Sequence, residues 1–501
     1  ADLAVIAVPA ARVLEVAAQC GQRGVRSLVV ITSGLDTTQS AGLLAICRGH
    51  GMRLVGPDCF GVSVPGLGLD ATFATRPARP GVAGLVMQSG GLGFALVDHL
   101  SRLGIGISSF ASVGDKLDVS GNDMLLWWER DDRTRLAVLY LESFGNPRKF
   151  ARTARRVSCA MPVLTVLTNT VLTNTVLTNT GLAKTTPFQE TLFEQAGVIT
   201  TGGFGELVEA AALLATQPVP AGRTVAILSN VRSAGQLAAH AATSAGLRVR
   251  GPAETPAPVQ AGAFRVTLEQ LAADDEVHAV VAIVLPTGAT GDLEAAIREA
   301  TTSKPLAAVV LTQPESVRLI DNRIPAYGSP EAAVRALARA AGYGAWRAAP
   351  RGQVPYLAGV RTADARALVL ASGPGWLVPA QAAELLACYG IPLGGRAEPG
   401  PRVVVRMAGD RVFGPLVRLE AGDSYRTARF TPLTDVDAAY LTKSRPDLDV
   451  LRDLLLRVSR LADDLPEVTE LELDLGGAAV AGARVKVEPS QPQDPYLRRL
   501  R

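Results

Sequence analysis

One recurring order constrains the fold of this chain more than any single motif does. A continuous apolar stretch of strand length is followed by a turn rich in Gly, Pro, Ser or Asp, and then by an amphipathic helical stretch. Before Gly81 the strings LAVIAVP, SLVVITSG and RLVGPDCFGV are separated by the helical ARVLEVAAQCGQRG and GLLAICRGHG. Strands that are apolar throughout must be covered on both faces, and the interposed helices supply the cover, which implies parallel, doubly wound α/β sheets. The order recurs with GLVMQS, ISSFASVG, LAVLYLES, MPVLTVLT and VITTGG, and again with TVAILSN, LRVRG, VVAIVLP and LAAVVLT. Beyond Pro392 it stops, and RVVVRM, VFGPLVRLE and ELELDL surround the helical VLRDLLLRVSRLADDL as an α+β module.

These shifts divide the chain into regions 1–80, 81–218, 219–346 and 375–501, with the Pro, Gly and Arg-richer stretch 347–374 as a linker. A chain of 501 residues exceeds what one core supports. With 48% hydrophobic and 19% charged residues it is globular rather than disordered. A net charge of +3, with both signs interspersed, offers no basic face, so nucleic acid is not an expected partner. The five cysteines, Cys20, Cys47, Cys59, Cys159 and Cys388, are odd in number and scattered, which argues against a disulfide framework or a zinc site and suggests a reducing, cytoplasmic location. No apolar run reaches the length of a membrane span, so no membrane association is expected. Because ADLAVIAVP already reads as a core strand, a segment upstream is expected.

The stretch GLVMQSGGLGFALVDHL, Gly84 to Leu100, reads as strand, glycine turn and helix start. Free backbone N–H groups and the positive end of a helix dipole then converge near Gln88 to Gly93, an arrangement that holds anions. FASVGDKLDVSGNDML, Phe110 to Leu125, supplies an adjoining turn. Ligands of such sheets sit beyond the carboxyl ends of the strands, so Val8, Pro9, Thr32 to Gly34 and Pro57 to Cys59 are candidates. Each admits a plainer reading, since turns reverse chains and glycines let helices pack. Asp118 and Ser120 read as helix caps, Trp127 and Trp128 as a core and interface pair, and Cys59 as an inert buried thiol rather than a reactive one. Val166 to Thr180 repeats VLTNT three times, a local loop expansion or a lengthened strand.

Taken in order, VVITSG, RLVGPDCFGV, MQSGGLG, SVGDKLDVSGNDML, YLESFGNPRKF, LFEQAGVI, AILSN, GWLVPAQAAELLACYGIPL, FGPLV and PLTD resemble the NDP-forming acyl-CoA synthetases, relatives of succinyl-CoA synthetase. That resemblance implies an α/β fold: a Rossmann-like CoA-binding domain (incomplete here, 1–80), two flavodoxin-like domains (81–218 and 219–346) and a truncated ATP-grasp-like module (375–501). It implies CoA or acetyl-CoA contacts at Val8, Pro9, Ile31, Thr32, Pro57, Asp58 and Cys59. Gln88, Ser89, Gly90 and Gly91 would receive the phosphate of a phosphohistidine. Gly114, Asp115, Lys116 and Asp118 would adjoin them, and Glu142 would orient the histidine. Asn230 and Gly235 would mark the second phosphate-receiving helix start, and Glu472 and Asp474 a residual metal site.

The departures are as informative. The chain has four histidines, His50, His99, His240 and His278, and none lies between Met161 and Ile199, where the family's carrier loop belongs. Threonine does not replace imidazole there, because its hydroxyl is a poor nucleophile without a base. The second helix start reads Asn230, Val231, Arg232, Ser233, Ala234, Gly235 instead of Asn and a run of glycines. The ATP-grasp lobe expected after GIPL is absent, so ATP or ADP with magnesium is not expected. These features, with VSGNDML, YLESFGNPRKFARTARRV and DPYLRRLR, resemble the synthetase-like region of actinobacterial GNAT-fused protein lysine acetyltransferases. QSGGLG also fits the GNAT pattern Q-x-x-G-x-G, but its place inside a βα series assigns it to the sheet. The expected function is thus a catalytically silent, CoA- or acyl-CoA-sensing region that allosterically regulates an upstream GNAT domain and, through it, protein substrates, as a homo-oligomer. An active NDP-forming acyl-CoA ligase and a structural scaffold are the rival readings.

Overall fold

The computed structural model describes residues 1–141, 147–166, 188–255, 259–288, 290–394, 403–410, 414–422, 425–443, 445–476 and 479–489. Strands β1 (Leu3–Ile6), β2 (Ser27–Val30) and β3 (Arg53–Val55) form a parallel three-stranded sheet in that order. Helices α1 (Val13–Gln22) and α2 (Thr37–Gly49) follow β1 and β2, and Val13, Ala17, Leu43 and Cys47 meet Ile6, Leu28, Val30 and Leu54 in one small core. Asp36 starts α2 through a capping box: its carboxylate accepts the Gln39 N–H at 2.8 Å while Gln39 accepts the Asp36 N–H at 3.0 Å.

The second sheet contains β4 (Gly61–Val64), β5 (Leu69–Thr72), β6 (Pro80–Met87), β7 (Ile107–Ser112), β8 (Leu136–Tyr140), β9 (Val163–Val166) and β10 (Ile199–Thr201) in the order β10-β9-β8-β6-β7-β4-β5. Its five parallel strands follow the flavodoxin-like order, and β4 joins antiparallel to β7. RLVGPDCFGV, expected to belong to the first region, is thereby split. Pro57 offers no ladder donor, and the chain turns there, leaving β3 in the first sheet and carrying β4 and β5 into the second. Helices α3 (Gly90–Arg102), α4 (Gly121–Trp128), α5 (Pro147–Ala160), α6 (Phe188–Ala196) and α7 (Phe204–Thr216) cover this sheet. Trp128 is fully buried and donates its indole N–H to Ser109 Oγ at 2.8 Å, while Trp127 is half-buried beside the same core. Residues 167–187, with most of the VLTNT tract, lie outside the described residues.

The third sheet, β11 (Thr224–Ser229), β12 (Arg248–Glu254), β13 (Ala279–Val284), β14 (Leu306–Val310), β15 (Val317–Ile320) and β16 (Ile324–Tyr327), repeats the flavodoxin-like order as β12-β11-β13-β14-β16 and adds β15 as an antiparallel edge. With α8 (Arg232–Ser244), α9 (Ala261–Ala273), α10 (Leu293–Glu299) and α11 (Pro330–Ala348) it packs against the second sheet, and α7, α8 and α11 place both in one continuous core.

The fourth sheet is antiparallel: β17 (Gly375–Trp376), β18 (Val403–Asp410), β19 (Gly414–Ala421), β20 (Tyr425–Phe430), β21 (Val468–Gly476) and β22 (Ala479–Val487), in the order β17-β22-β21-β18-β19-β20. Helices α12 (Thr362–Ser372), α13 (Pro379–Cys388), α14 (Asp435–Thr442) and α15 (Arg452–Asp464) complete the module. The stretch read as a linker thus holds α12, whose Ala365 and Val369 enter this core. Gln195 of α6 fastens the module's edge strand, donating to the Phe430 carbonyl at 3.0 Å and accepting the Phe430 N–H at 2.9 Å. Among the described residues no helix is long and apolar enough to cross a membrane.

Candidate functional site

In a sheet of flavodoxin-like order the crevice opens where connections leave in opposite directions, here beyond β6 and β8. The Gln88 N–H donates to the Tyr140 carbonyl at 2.8 Å and holds the two strand ends together. The chain then enters α3 at Gly90 with Ser89 extended at the cap, and the Ser89 side chain makes no capping hydrogen bond. The first N–H groups of α3 are therefore not capped by that hydroxyl, and Gly91 lies exposed among them. Gly93 is needed for α3 to approach the sheet, since a Cβ there would stand 2.9 Å from Met87 Cβ. Glu142, expected at the same crevice, lies outside the described residues.

Beyond the first sheet, three loops form one open edge. Thr32 Oγ1 donates to the Val8 carbonyl at 2.7 Å and the Asp58 N–H donates to the Thr32 carbonyl at 3.0 Å, so Thr32 ties the loops after β1, β2 and β3. Pro9 and Asp58 are exposed, Val8, Ile31 and Thr32 are half-buried, and Pro57 and Cys59 are buried. Cys59 donates its thiol proton to the Val30 carbonyl at 3.2 Å, and burial pushes its pKa up to about 11. That is the inert thiol rather than the reactive one.

This edge interlocks with the turn after β7. Gly114, at φ 51°, packs so closely on the Pro57 loop that a Cβ would lie 2.1 Å from the Pro57 carbonyl oxygen. The Asp115 N–H donates to that same oxygen at 2.9 Å, and burial, then the nearby Asp58, raises the Asp115 carboxyl pKa. Asp118 does not cap α4 as expected. Its Oδ2 accepts from Arg53 Nε at 2.8 Å and from the Leu54 N–H at 3.0 Å, because α4 starts two residues later at Ser120, whose N–H and Oγ both donate to Asp123. Arg53 was not singled out from the sequence, and its partner 65 residues away leaves no local signal.

The corresponding crevice of the third sheet lies beyond β11 and β13. There Asn230 Nδ2 donates to the Leu285 carbonyl at 3.0 Å, and the Leu285 N–H donates to Asn230 Oδ1 at 2.9 Å. Ser229 Oγ accepts the Val231 N–H at 3.0 Å, Arg232 pairs with Glu254 at 3.1 Å, and Gly235 is buried against Ser229. The four histidines lie at the other ends of their elements. His99 falls in the last turn of α3, edge-on to Phe204. His240 lies in the latter half of α8, His50 follows α2, and His278 precedes β13, where its Nδ1 accepts the Thr224 N–H.

In the fourth sheet Glu472 and Asp474 share the polar face of β21, opposite the buried Leu471 and Leu473. Arg406 on β18 donates to Glu472 at 3.2 Å and to Glu420 at 2.7 Å, which commits the Glu472 carboxylate to a guanidinium. Among the described residues no group of three His, Cys, Asp or Glu side chains could hold a metal ion. Glu472 and Asp474 thus stand as a pair of carboxylates on one face of β21, the first of them engaged by Arg406.

Residues 1–65 match the family described as "CoA binding domain", and residues 80–214 match "Succinyl-CoA ligase like flavodoxin domain". The alpha subunit of ADP-forming acetate–CoA ligase I from Pyrococcus furiosus is 30% identical over 386 aligned residues, covering 69% of this chain and 84% of that subunit. ADP-forming acetate–CoA ligase I of Archaeoglobus fulgidus is 26% identical over 604, covering 94% of this chain and 88% of the relative. That alignment is longer than this chain and so leaves positions of the relative unmatched. Among solved structures, the apo dinucleotide-forming acetyl-coenzyme A synthetase 1 of Ca. Korarchaeum cryptofilum superposes with a TM-score of 0.63 at 27% identity, covering 69% of this chain and 84% of that one. The same protein is solved with phosphate and ADP, with a TM-score of 0.62 at 26% identity, so the expectation that ADP and ATP play no part gains no support from the relatives.

Proposed function

This chain belongs to the NDP-forming acetyl-CoA synthetase family, related to the succinyl-CoA ligases, and on that premise we propose that it is a CoA- and acyl-CoA-sensing unit that does not itself carry phosphate. Its CoA-binding domain and flavodoxin-like sheets are those of a synthetase. The open edge fits CoA. Val8 and Ile31 provide an apolar floor, and Pro9 and Asp58 stand at its exposed rim. When bound, CoA supplies a thiol that can bear an acyl group. Thr32 fixes the three loops that meet the ligand, and the uncapped start of α3 supplies N–H groups for an anion beside it.

The observation that carries the silent reading is the placement of imidazole. No histidine lies between Met161 and Ile199, and each of the four present sits away from both crevices. In the second crevice the Asn230 amide is engaged at both ends by the Leu285 backbone. We assign the ligand signal to the loop that Gly114 and Asp118 hold against Pro57 and Leu54. A ligand displacing Asp58 moves the turn before α4, and so biases the packing of the first two sheets. The receiver is a GNAT-type protein lysine acetyltransferase domain acting on protein substrates, in a homo-oligomer. VSGNDML, YLESFGNPRKFARTARRV and DPYLRRLR support that reading.

A second reading, an active NDP-forming acyl-CoA ligase with a substituted carrier residue on this chain, is favoured by the activities named for the relatives. Incubating the protein with γ-labelled ATP and magnesium separates the two. The silent reading expects no acid-labile phosphate on the chain, and its appearance overturns that reading. Calorimetric titration with CoA and acetyl-CoA tests the sensor: saturable binding is expected, and no binding at millimolar concentration leaves a scaffold.

A further inference from the structure

Arg53 on β3 stands between two carboxylates that belong to different elements. Its Nε donates to Asp118 Oδ2 at 2.8 Å, and Asp118 also accepts the Leu54 N–H at 3.0 Å. Its Nη2 lies 3.7 Å from Oδ1 of Asp123, in the first turn of α4. The third nitrogen, Nη1, is buried and has no hydrogen-bond partner among the described residues. The guanidinium thus grips Asp118, reaches loosely toward Asp123 and keeps donors in reserve. The side chains of Arg53, Asp118 and Asp123 are only 17%, 11% and 7% exposed, so salt screens these charges little and a change of partner is felt by both elements.

Each of the two carboxylates leads to a different surface. Asp118 closes the turn whose Asp115 and Leu117 N–H groups donate to the Pro57 and Gly56 carbonyls at 2.9 and 3.4 Å, at the loop that carries Asp58. Asp123 uses Oδ2 for the Ser120 N–H and hydroxyl, while its Oδ1 faces both Arg53 and, at 3.9 Å, Lys149 of α5. From Lys149 the line continues along α5, since residues three apart share a helix face. Arg152 pairs with Asp463 at 3.3 Å and Arg155 with Asp437 at 3.7 Å, both in the fourth module. Behind that line Phe150, Ala154 and Val157 pack in one core with Leu416, Ala428 and Phe430. The fourth module therefore rests on α5, and α5 is tied near its start to the carboxylate that Arg53 approaches.

We propose that Arg53 is a positioning residue that couples the loop at Asp58 to the docking of the fourth module. The proposal rests on the reading that CoA occupies the edge at Val8, Thr32 and Asp58, and it adds where that occupancy is transmitted. When the ligand displaces Asp58 and the turn behind it, Asp118 leaves the guanidinium. Nη1 and Nη2 then turn to Asp123 Oδ1 and displace the Lys149 ammonium, because a guanidinium offers a carboxylate two parallel donors and an ammonium is a single point charge. α5 loses its tie to α4, and the edge of the module resting on it loosens. No covalent bond changes; the coupling is an exchange of ion pairs between two arrangements.

Amide exchange on the full chain, read along β20 with and without saturating CoA, tests this. CoA is expected to accelerate exchange at Tyr425–Phe430 by about threefold or more. Arg53→Lys still meets Asp118 but has no second donor to turn toward Asp123, and it is expected to bind CoA without that response. Lys149→Gln is expected to show the faster exchange already in the absence of CoA, with no further change on binding. A merely structural role would instead move exchange alike with and without ligand. An unaltered β20 in wild-type protein saturated with CoA overturns the proposal, as do an acceleration that Arg53→Lys retains and a ligand-free Lys149→Gln no faster than wild type. Failure of CoA to bind overturns the sensor reading instead. In that event Asp118→Asn, which frees the guanidinium without ligand, decides: faster exchange at Tyr425–Phe430 supports the coupling, and unchanged exchange overturns it.

Discussion

Asn230 closes the crevice between β11 and β13 with both ends of one amide, donating to the Leu285 carbonyl at 3.0 Å and accepting its N–H at 2.9 Å. At the equivalent place in the second sheet the Gln88 N–H donates to the Tyr140 carbonyl at 2.8 Å, as the Asn230 N–H does to the Ile283 carbonyl at 3.3 Å. The two halves thus share a topology and this backbone bond, to which the third sheet adds the Asn230 side-chain clasp. Asn230→Ala strands both backbone groups of Leu285, and a loss of about 2 kcal/mol is expected. Urea denaturation checks it. Asn230→Asp is expected to destabilise as well, because a carboxylate cannot donate to the Leu285 carbonyl, and an unchanged midpoint in both variants would refute the clasp.

Gly114 tolerates no side chain. At φ 51° an alanine already carries a backbone penalty of about 1–2 kcal/mol, and its Cβ would stand 2.1 Å from the Pro57 carbonyl oxygen. Gly114→Ala is expected to lower stability and to weaken CoA binding together, since Pro57 and Asp58 must shift. The same substitution at Gly91, where a Cβ meets open space, is expected to leave stability nearly unchanged. Paired melting curves and CoA titrations of the two variants decide the matter.

The buried thiols make stability sensitive to alkali. Burial raises Cys59 from its usual 9.0 to about 11 and Cys47 to about 12. A folded-state value above the unfolded one means the contribution is complete below pH 9 and is lost as pH rises toward 11 and 12. Denaturation midpoints are expected to decline above pH 9, with a shallower decline in Cys47→Ala. At pH 8, iodoacetamide is expected to modify the half-exposed Cys20 and Cys159 well before Cys47 and Cys59.

Gln195 fastens the last module to the second sheet. Gln195→Leu removes both hydrogen bonds to Phe430, on a surface where Leu416, Ala428 and Phe430 already pack into the α5 and α6 core. A modest loss of about 1 kcal/mol is expected. Amide exchange is expected to accelerate along β20 before it changes along β21. Uniform acceleration through the whole module would contradict a local clasp.

Much of the architecture was legible in the sequence, because a strand buried on both faces has to be apolar throughout. GLVMQS and TVAILSN could be read as first strands of two similar sheets, and SGGLG as the start of a helix. Arg53 and Asp118 were not legible as partners, since an ion pair between distant segments leaves no periodicity in either. Asp118 misled for a physical reason. An acidic residue shortly before a helix reads as a cap, and only the position of Ser120 relative to Asp123 shows which residue starts α4. The course of Gly61–Val64 was hidden likewise, because GVSV suits either sheet and the pairing with Ala111 and Phe110 is decided in three dimensions.

The two antiparallel strands that leave the first region have a consequence for grafting. Gly61–Val64 and Leu69–Thr72 are hydrogen-bonded into the second sheet, and Gly114 to Val119 return the contact on Leu54 and Pro57. The seam is stitched from both sides. Transplanting residues 1–72 onto another protein would take two strands out of the second sheet, and that sheet is expected to lose stability with them.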